Sequence, residues 1–560
     1  PQEVRQAEET LAHRFRFYDE THQLPEEIDW DFNPGTGHWT HDLNRFSYLH
    51  TLTRASLGTG DPRFGRKAVG LILAWIARCD FGRAFVGTPY VFGSYLNQAI
   101  HCETWSGCLR QLLPEGMVNP PELLRILKSL HDQLSYLEIV TNGHAGNWPT
   151  IGYRGMLATL AALPLFRDTD RFAGYCIRAL AAQIDEQVLP DGVQDELTPH
   201  YHSVVINNLL TALRSARSLG RDLEPRTLST LRKMVHYQQQ TIVPDGSAQV
   251  AFNDSDPAAV PRLAETLARE GLGEFLSPPE RLGPERFPYA GVAFLRQRQD
   301  RGDLYLAFDG GPYGRSHQHE DKLSFWLFAY GRSFLVDPGR HLYDRSSASY
   351  RPHLVTTRAH STLLVDGAGQ RSAGRPETWI PKDPVPLIWD EKEGEIRASA
   401  AYDLGYGPDN AIAVVHRREI VFLRERFWVV FDRLEGDGER RIESRFQFAP
   451  CALRVDGPRA QTCFEDANLL LIPSVPFADV RVEEACENPR GGWYSSRYGR
   501  IEPAPCLSLS AAVRLPFSAA TLLFPYRGPT PPPVAFAVEG HTAFVETPET
   551  GRIAVTSSLS

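Results

Sequence analysis

Several marks of familiar protein classes are missing from this 560-residue chain. Its 8 cysteines are too sparse for a disulfide framework, and no CxxC pair supplies the spacing of a cysteine zinc site. No apolar run reaches the roughly 18 residues that a membrane-spanning helix needs. The longest, around Leu71–Ala77, ends at Arg78. Excess positive charge is also absent: the net charge is −9, which argues against a nucleic-acid scaffold. A polyanionic substrate stays possible, because a local basic cleft can sit on an acidic body. Gly58-Thr59-Gly60 runs into Pro62 without dinucleotide spacing, and Asn33-Pro34-Gly35-Thr36-Gly37 reads as a turn. His319-Glu320-Asp321-Lys322-Leu323 lacks the second His of a zincin helix, and there is no nucleophile elbow. The chain starts at Pro1, not Met, so an N-terminal segment is expected to have been removed or omitted; nothing in these residues shows a secretory signal.

What is present is an ordinary globular composition, 42% hydrophobic and 23% charged. The length allows three to four domains, or two large ones. Apolar residues recur at three- and four-residue spacing in Phe46–Leu57, Phe64–Cys79, Leu123–Leu137, Met156–Leu165, Phe172–Val188 and Val204–Leu219. Roughly ten helical segments are predicted before residue 275, with no solenoid period. From about residue 285 the period becomes two. Tyr289–Arg296, Leu304–Phe308, Leu323–Tyr330, Ser333–Val336, Ser361–Val365, Ile396–Ala401, Glu419–Phe431 and Ile442–Phe448 read as strands. The Pro- and Gly-rich stretch Ser277–Pro288 marks the change. It predicts a helical domain over 1–284 and an antiparallel sandwich over 285–560.

Three polar constellations stand out. In Ser316-His317-Gln318-His319-Glu320-Asp321, a strand would place His317, His319 and Asp321 on one face, suiting a metal or acid/base site. A solvated loop is the plainer reading. Asp337 and His360, each at the end of a predicted strand, add ligand types that zinc accepts. In Asp191–His202, Thr198 suits an N-cap and Pro199 the first helical position. Tyr201 then falls in the first turn, where the positive helix end favours a phenolate. The plainer reading is a packed ring with one hydrogen bond. In Asn142-Gly143-His144-Ala145-Gly146-Asn147-Trp148-Pro149, Asn147 lies at a helix mouth, as a carboxylate partner or simply as a cap.

Together these motifs resemble the heparinase II/III superfamily of polysaccharide lyases. Asp29–Gly37 with Leu43-Asn44-Arg45-Phe46 looks like the N-terminal signature of heparinase III-like members. Asp191-Gly192 through Glu196, Pro199, Tyr201 and His202 is similar to the segment bearing the family's tyrosine. The C-terminal signature is matched by His317-Gln318-His319, Asp321, Val336-Asp337-Pro338-Gly339 and Arg358-Ala359-His360-Ser361-Thr362. The resemblance implies an incomplete (α/α) toroid followed by an antiparallel β-sandwich. It implies Tyr201 as acid/base, His317 as catalytic histidine and Asn147 as the group that neutralises a uronate carboxylate. Trp148 stands where some members have His, so Asn142 and His144 remain alternatives for that task. It implies a structural zinc on His319, Asp337 and His360, pinning three strands. His144, Trp148, His202, Tyr343 and Arg358 are expected to contact substrate.

The expected activity is β-elimination on a uronic-acid polysaccharide: heparan sulfate, hyaluronan or chondroitin, with alginate second. His317 either takes a proton from the face opposite Tyr201 or holds Tyr201 as phenolate. A glycoside hydrolase would instead use Asp191, Asp195 and Glu196. A non-catalytic carbohydrate binder would use Trp39, Trp148, Trp493 and Tyr494. The expected partner is an acidic polysaccharide, with no nucleic acid and no membrane span; monomer and homo-oligomer both stay open. The expected compartment is periplasmic or secreted rather than cytoplasmic.

Overall fold

A computed structural model describes residues 2–17, 20–35, 37–79, 94–297, 303–370, 383–475 and 477–559. Thr36 of the N-terminal signature lies outside them. The chain forms two compact units. The first holds 1–187, 204–231 and 266–272; the second holds 188–203, 232–265 and 273–560. The single boundary expected at 284 therefore gives way to interleaving.

The first unit is helical. Its helices include Tyr48–Thr59, Pro62–Arg78, Tyr95–Leu112, Pro120–Val140, Trp148–Ala162 and Thr169–Gln187. Two of these helices start on an Asx-Pro pair. Asp61 accepts from Arg63 N ahead of Pro62, and Asn119 and Glu122 form a capping box around Pro120. Tyr95–Leu112 is the central helix, with Cys102, Trp105, Cys108, Leu109 and Leu112 wholly buried. Gly155 lets Trp148–Ala162 pack closely against it: a Cβ there would lie 2.3 Å from the Ala99 carbonyl oxygen.

The second unit is built on antiparallel sheets. A five-stranded meander runs through Glu285–Phe287, Val292–Gln297, Leu304–Asp309, Phe325–Ala329 and Arg332–Leu335. An eight-stranded and a four-stranded sheet follow, and a three-stranded sheet ends the chain. The meander is buried on both faces, so its strands read as continuous apolar runs. One face, with Leu295, Leu306, Phe325 and Leu327, joins the sandwich core. The other, with Phe294, Tyr305, Trp326 and Phe328, packs under Leu189, Leu197, Tyr237, Val250 and Phe252. This second face holds the segments 188–203 and 232–265 in the sheet unit. The long strand expected over Glu419–Phe431 is a hairpin instead, Val415–Leu423 paired with Phe427–Glu435. Glu425 turns it at φ 68°.

Candidate active site

Tyr201 sits where its sequence context puts it. The helix Pro199–Ser218 starts at Pro199, and Thr198 Oγ1 accepts from Tyr201 N at 3.1 Å. The Tyr201 hydroxyl forms a short hydrogen bond with the Tyr343 hydroxyl. Arg340 Nη1 donates to both, at 3.2 Å to Tyr201 and 3.1 Å to Tyr343. His317 stacks on the Tyr201 ring, centroids 3.9 Å apart and 16° from parallel. The His317 Nδ1 meets Glu196 Oε2 at 2.8 Å, which directs Nε2 to other work. Burial pushes the Tyr201 phenol up to about 12, while Arg340 and the Tyr343 hydroxyl act against the rise. The site thus contains a phenol, a cation aimed at its oxygen and an imidazole on its face.

The expected common face of His317, His319 and Asp321 does not form. Residues 316–322 are a loop, and His317 has φ 62°, so strand alternation fails. His317 turns to Tyr201, and Asp321 pairs with the buried Lys322. His319 turns inward and meets Asp337 and His360, with ligand atoms within 4.8 Å of one another. All three are buried. His319 Nε2 is held by Asp254 at 2.9 Å, and His360 Nδ1 by Asp337 at 2.8 Å. The other nitrogens, His319 Nδ1 and His360 Nε2, are buried without a hydrogen-bond partner. Two orphaned ring nitrogens beside a carboxylate are the donor set that zinc takes, and Asp254 behind His319 is a typical outer support. The three residues come from loops at strand ends, not from three strands.

In the helical unit, Asn147 precedes the helix Trp148–Ala162, which places Pro149 second in it. Asn147 is buried, has helical φ and ψ, and makes no side-chain cap hydrogen bond. His144 stacks on Tyr95 at 4.3 Å, and Trp148 is 44% exposed. Asn142 accepts from the Tyr153 hydroxyl at 2.8 Å, a structural bond rather than a free turn.

Two expected substrate contacts need correction. His202 is wholly buried, and both ring nitrogens serve the backbone: Nδ1 accepts from Gln194 N and Nε2 donates to Met234 O. Arg358 pairs with Glu483 and Glu443 beside Arg445, with no bond to the tyrosine cluster. Tyr343, in contrast, is at the centre. The hydrolase carboxylates are committed too. Asp191 accepts from Tyr289 N and Ala290 N, and Asp195 pairs with the buried Arg315. Of the aromatic platforms, Trp39 is core and Tyr494 is buried.

Arg340, Asp256, His200 and Asp254 are the site residues that sequence reasoning passed over. Arg340 directly follows the Asp337-Pro338-Gly339 motif, and a cation next to a signature was the available signal.

Two family models match, "Heparinase II/III N-terminus" over residues 1–272 and "Heparinase II/III-like, C-terminal" over 279–539. A heparin-sulfate lyase of Pedobacter heparinus is 22% identical over 498 residues, covering 84% of this chain and 72% of that protein. One from Bacteroides stercoris is 21% identical, covering 80% and 70%. A crystal structure of heparinase III superposes with TM-score 0.82 at 16% identity, covering 99% of this chain and 91% of that one. A heparan sulfate lyase HepC mutant from Pedobacter heparinus gives 0.73 at 20%, covering 100% and 90%. At such identities the structural likeness speaks for the fold, and the expected toroid-then-sandwich class stands.

Proposed function

Because the chain belongs to the heparinase II/III family of polysaccharide lyases, we propose that it cleaves a uronic-acid glycosaminoglycan by β-elimination, heparan sulfate before hyaluronan or chondroitin. The observation that carries this reading is the Tyr201 hydroxyl, set between Arg340 and Tyr343 and against the His317 ring. Its curated relatives, named heparin-sulfate lyases, favour heparan sulfate over alginate.

The C5 proton of a uronate is hard to remove while the neighbouring carboxylate is anionic. Asn147 is assigned to that carboxylate on the likeness of its segment to the family's; a hydrogen bond there strengthens as enolate charge develops. Tyr201, as phenolate, takes the C5 proton, and the C5–H electrons become the C4–C5 double bond. The C4–O4 bond breaks, and O4 leaves with the proton that Tyr201 returns. Arg340 is the group that stabilises the phenolate. His317 has no hydrogen bond to the Tyr201 oxygen; its Nε2 would act only on a uronate whose C5 proton lies on the face opposite Tyr201, taking that proton while the Tyr201 phenol gives its own to O4. His319, Asp337 and His360 would hold zinc, whose contribution is to pin the three loops that carry His317 and Arg340.

The acidic polysaccharide is the proposed partner, and the proposed compartment is periplasmic or secreted. No helix among the described residues is long and apolar enough to cross a membrane. The test is a panel of heparan sulfate, heparin, hyaluronan, chondroitin and alginate, read by ultraviolet absorbance of the unsaturated product. Absorbance with heparan sulfate supports the reading; absorbance with alginate alone moves the substrate, and none with any member ends the lyase assignment.

A further inference from the structure

Arg340 is almost fully buried, and all five of its N–H donors are used. Nε donates to Asp256 Oδ1 at 2.9 Å and Nη2 to Asp256 Oδ2 at 2.5 Å. The second Nη2 hydrogen meets His200 Nε2 at 3.3 Å. Nη1 gives one hydrogen to Tyr201 and one to Tyr343. Such an arrangement leaves the guanidinium no rotational choice. Asp256 grips one edge in the fork geometry that carboxylates and guanidinium share, and this fixes the opposite corner between the two hydroxyls. Burial and Arg340 bring His200 down to about 4, so it is a neutral acceptor here and does not compete with Asp256 for charge.

We propose that Asp256 is a positioning residue for the elimination: through its two-point grip on Arg340 it sets how readily Tyr201 gives up its proton. The proposal rests on the lyase reading for its kinetic consequence, but the Tyr201 proton can be followed without it. The groups facing Tyr201 are His200 on its own helix, Arg340 and Tyr343 from the segment after Gly339, His317 and Glu196, and more distantly Asp254. Arg340 is the cation aimed at the phenol oxygen, and among the described residues only Asp256 forms an ion pair with it. Asp256 itself touches neither hydroxyl, so its influence passes through Arg340.

The experiment compares Asp256→Asn and Arg340→Lys with the unaltered enzyme. Asparagine keeps the shape of Asp256 but turns one acceptor into a donor facing Arg340. Lysine keeps the charge and loses the fork. For each, kcat should fall between about tenfold and 10²-fold, the scale of a misplaced catalytic group, with KM within about twofold. The acid limb of the kcat profile should move to higher pH by about one unit, tenfold in proton affinity. The sign follows from the chemistry: a looser cation stabilises the phenolate less, so more alkali is needed to form it. A loss of kcat with an unmoved limb, or no loss at all, overturns the proposal and leaves Asp256 a structural ion pair. If Asp256→Asn does not fold, as judged by thermal melting, Arg340→Lys gives the same reading. A tyrosine absorbance titration, unaltered protein minus Tyr201→Phe, follows the same proton without substrate. Should no polysaccharide be cleaved, the lyase reading fails while that titration still decides the role of Asp256.

Discussion

The tyrosine cluster and the histidine cluster lie in the same unit but are finished to different degrees. Around Tyr201, every Arg340 donor has an acceptor and the His317 Nδ1 has its carboxylate. Tyr201, His317 and Tyr343 keep partial exposure. Around His319 everything is buried, yet two ring nitrogens have no partner. The first arrangement is complete for holding and moving a proton. The second presents two buried ring nitrogens beside a carboxylate, the donor set that a metal ion would take. Asp254 stands between them, holding His319 on one side and Arg351, which lies over the Tyr343 ring, on the other. A disturbance of the buried cluster therefore reaches the tyrosines through a short chain of contacts.

The largest effect expected from breaking this contrast is in Tyr201→Phe. It keeps the ring stack on His317 and removes only the acid/base oxygen. Turnover should fall at least ~10²-fold, the usual worth of such a group, with the fold kept and any drop in Tm limited to the lost hydrogen bonds to Arg340 and Tyr343. His319→Ala should do the reverse first: elemental analysis should show zinc in the unaltered protein and its loss from the variant, with a lower Tm and a secondary loss of activity. No zinc in the unaltered protein would remove the metal claim and leave the tyrosine chemistry standing. Asn147→Ala should lower kcat more than it raises KM, by roughly tenfold to 10²-fold, the worth of one hydrogen bond to a charged group. Melting is read alongside, because the Asn147 side chain is buried although it makes no cap hydrogen bond. A loss of stability with intact kcat would assign the carboxylate to another residue. Asn142→Ala is the smallest case. It removes the acceptor of the Tyr153 hydroxyl and should cost about 1 kcal/mol of stability with turnover largely kept.

The helix start before Tyr201 was legible because it carries local chemistry, Thr198 as a cap and Pro199 as a residue that suits the first turn; Asp61-Pro62 and Asn119-Pro120 carry the same chemistry. Tyr201 was placed correctly for that reason. The loop 316–322 was not legible, because one residue in the left-handed region, His317, splits an apparent strand into two directions. That split is what separates the two clusters. The turn at Arg424-Glu425-Arg426 has no Gly, Pro or Asn, so two strands read as one. His202 shares its neighbourhood with Tyr201 in sequence, but the next position on the helix points into the core, where its ring joins Gln194 to Met234. Arg340 was hidden for a different reason. Its partners Asp256 and Tyr201 are 84 and 139 residues away, a distance no local pattern spans.

The central claim is that the Tyr201 oxygen performs the elimination. The direct measurement is the ultraviolet absorbance of unsaturated product from heparan sulfate, taken with the unaltered enzyme and with Tyr201→Phe at matched folded concentration. The account predicts steady growth of absorbance with the first and growth at least ~10²-fold slower with the second. Comparable growth from both would contradict it.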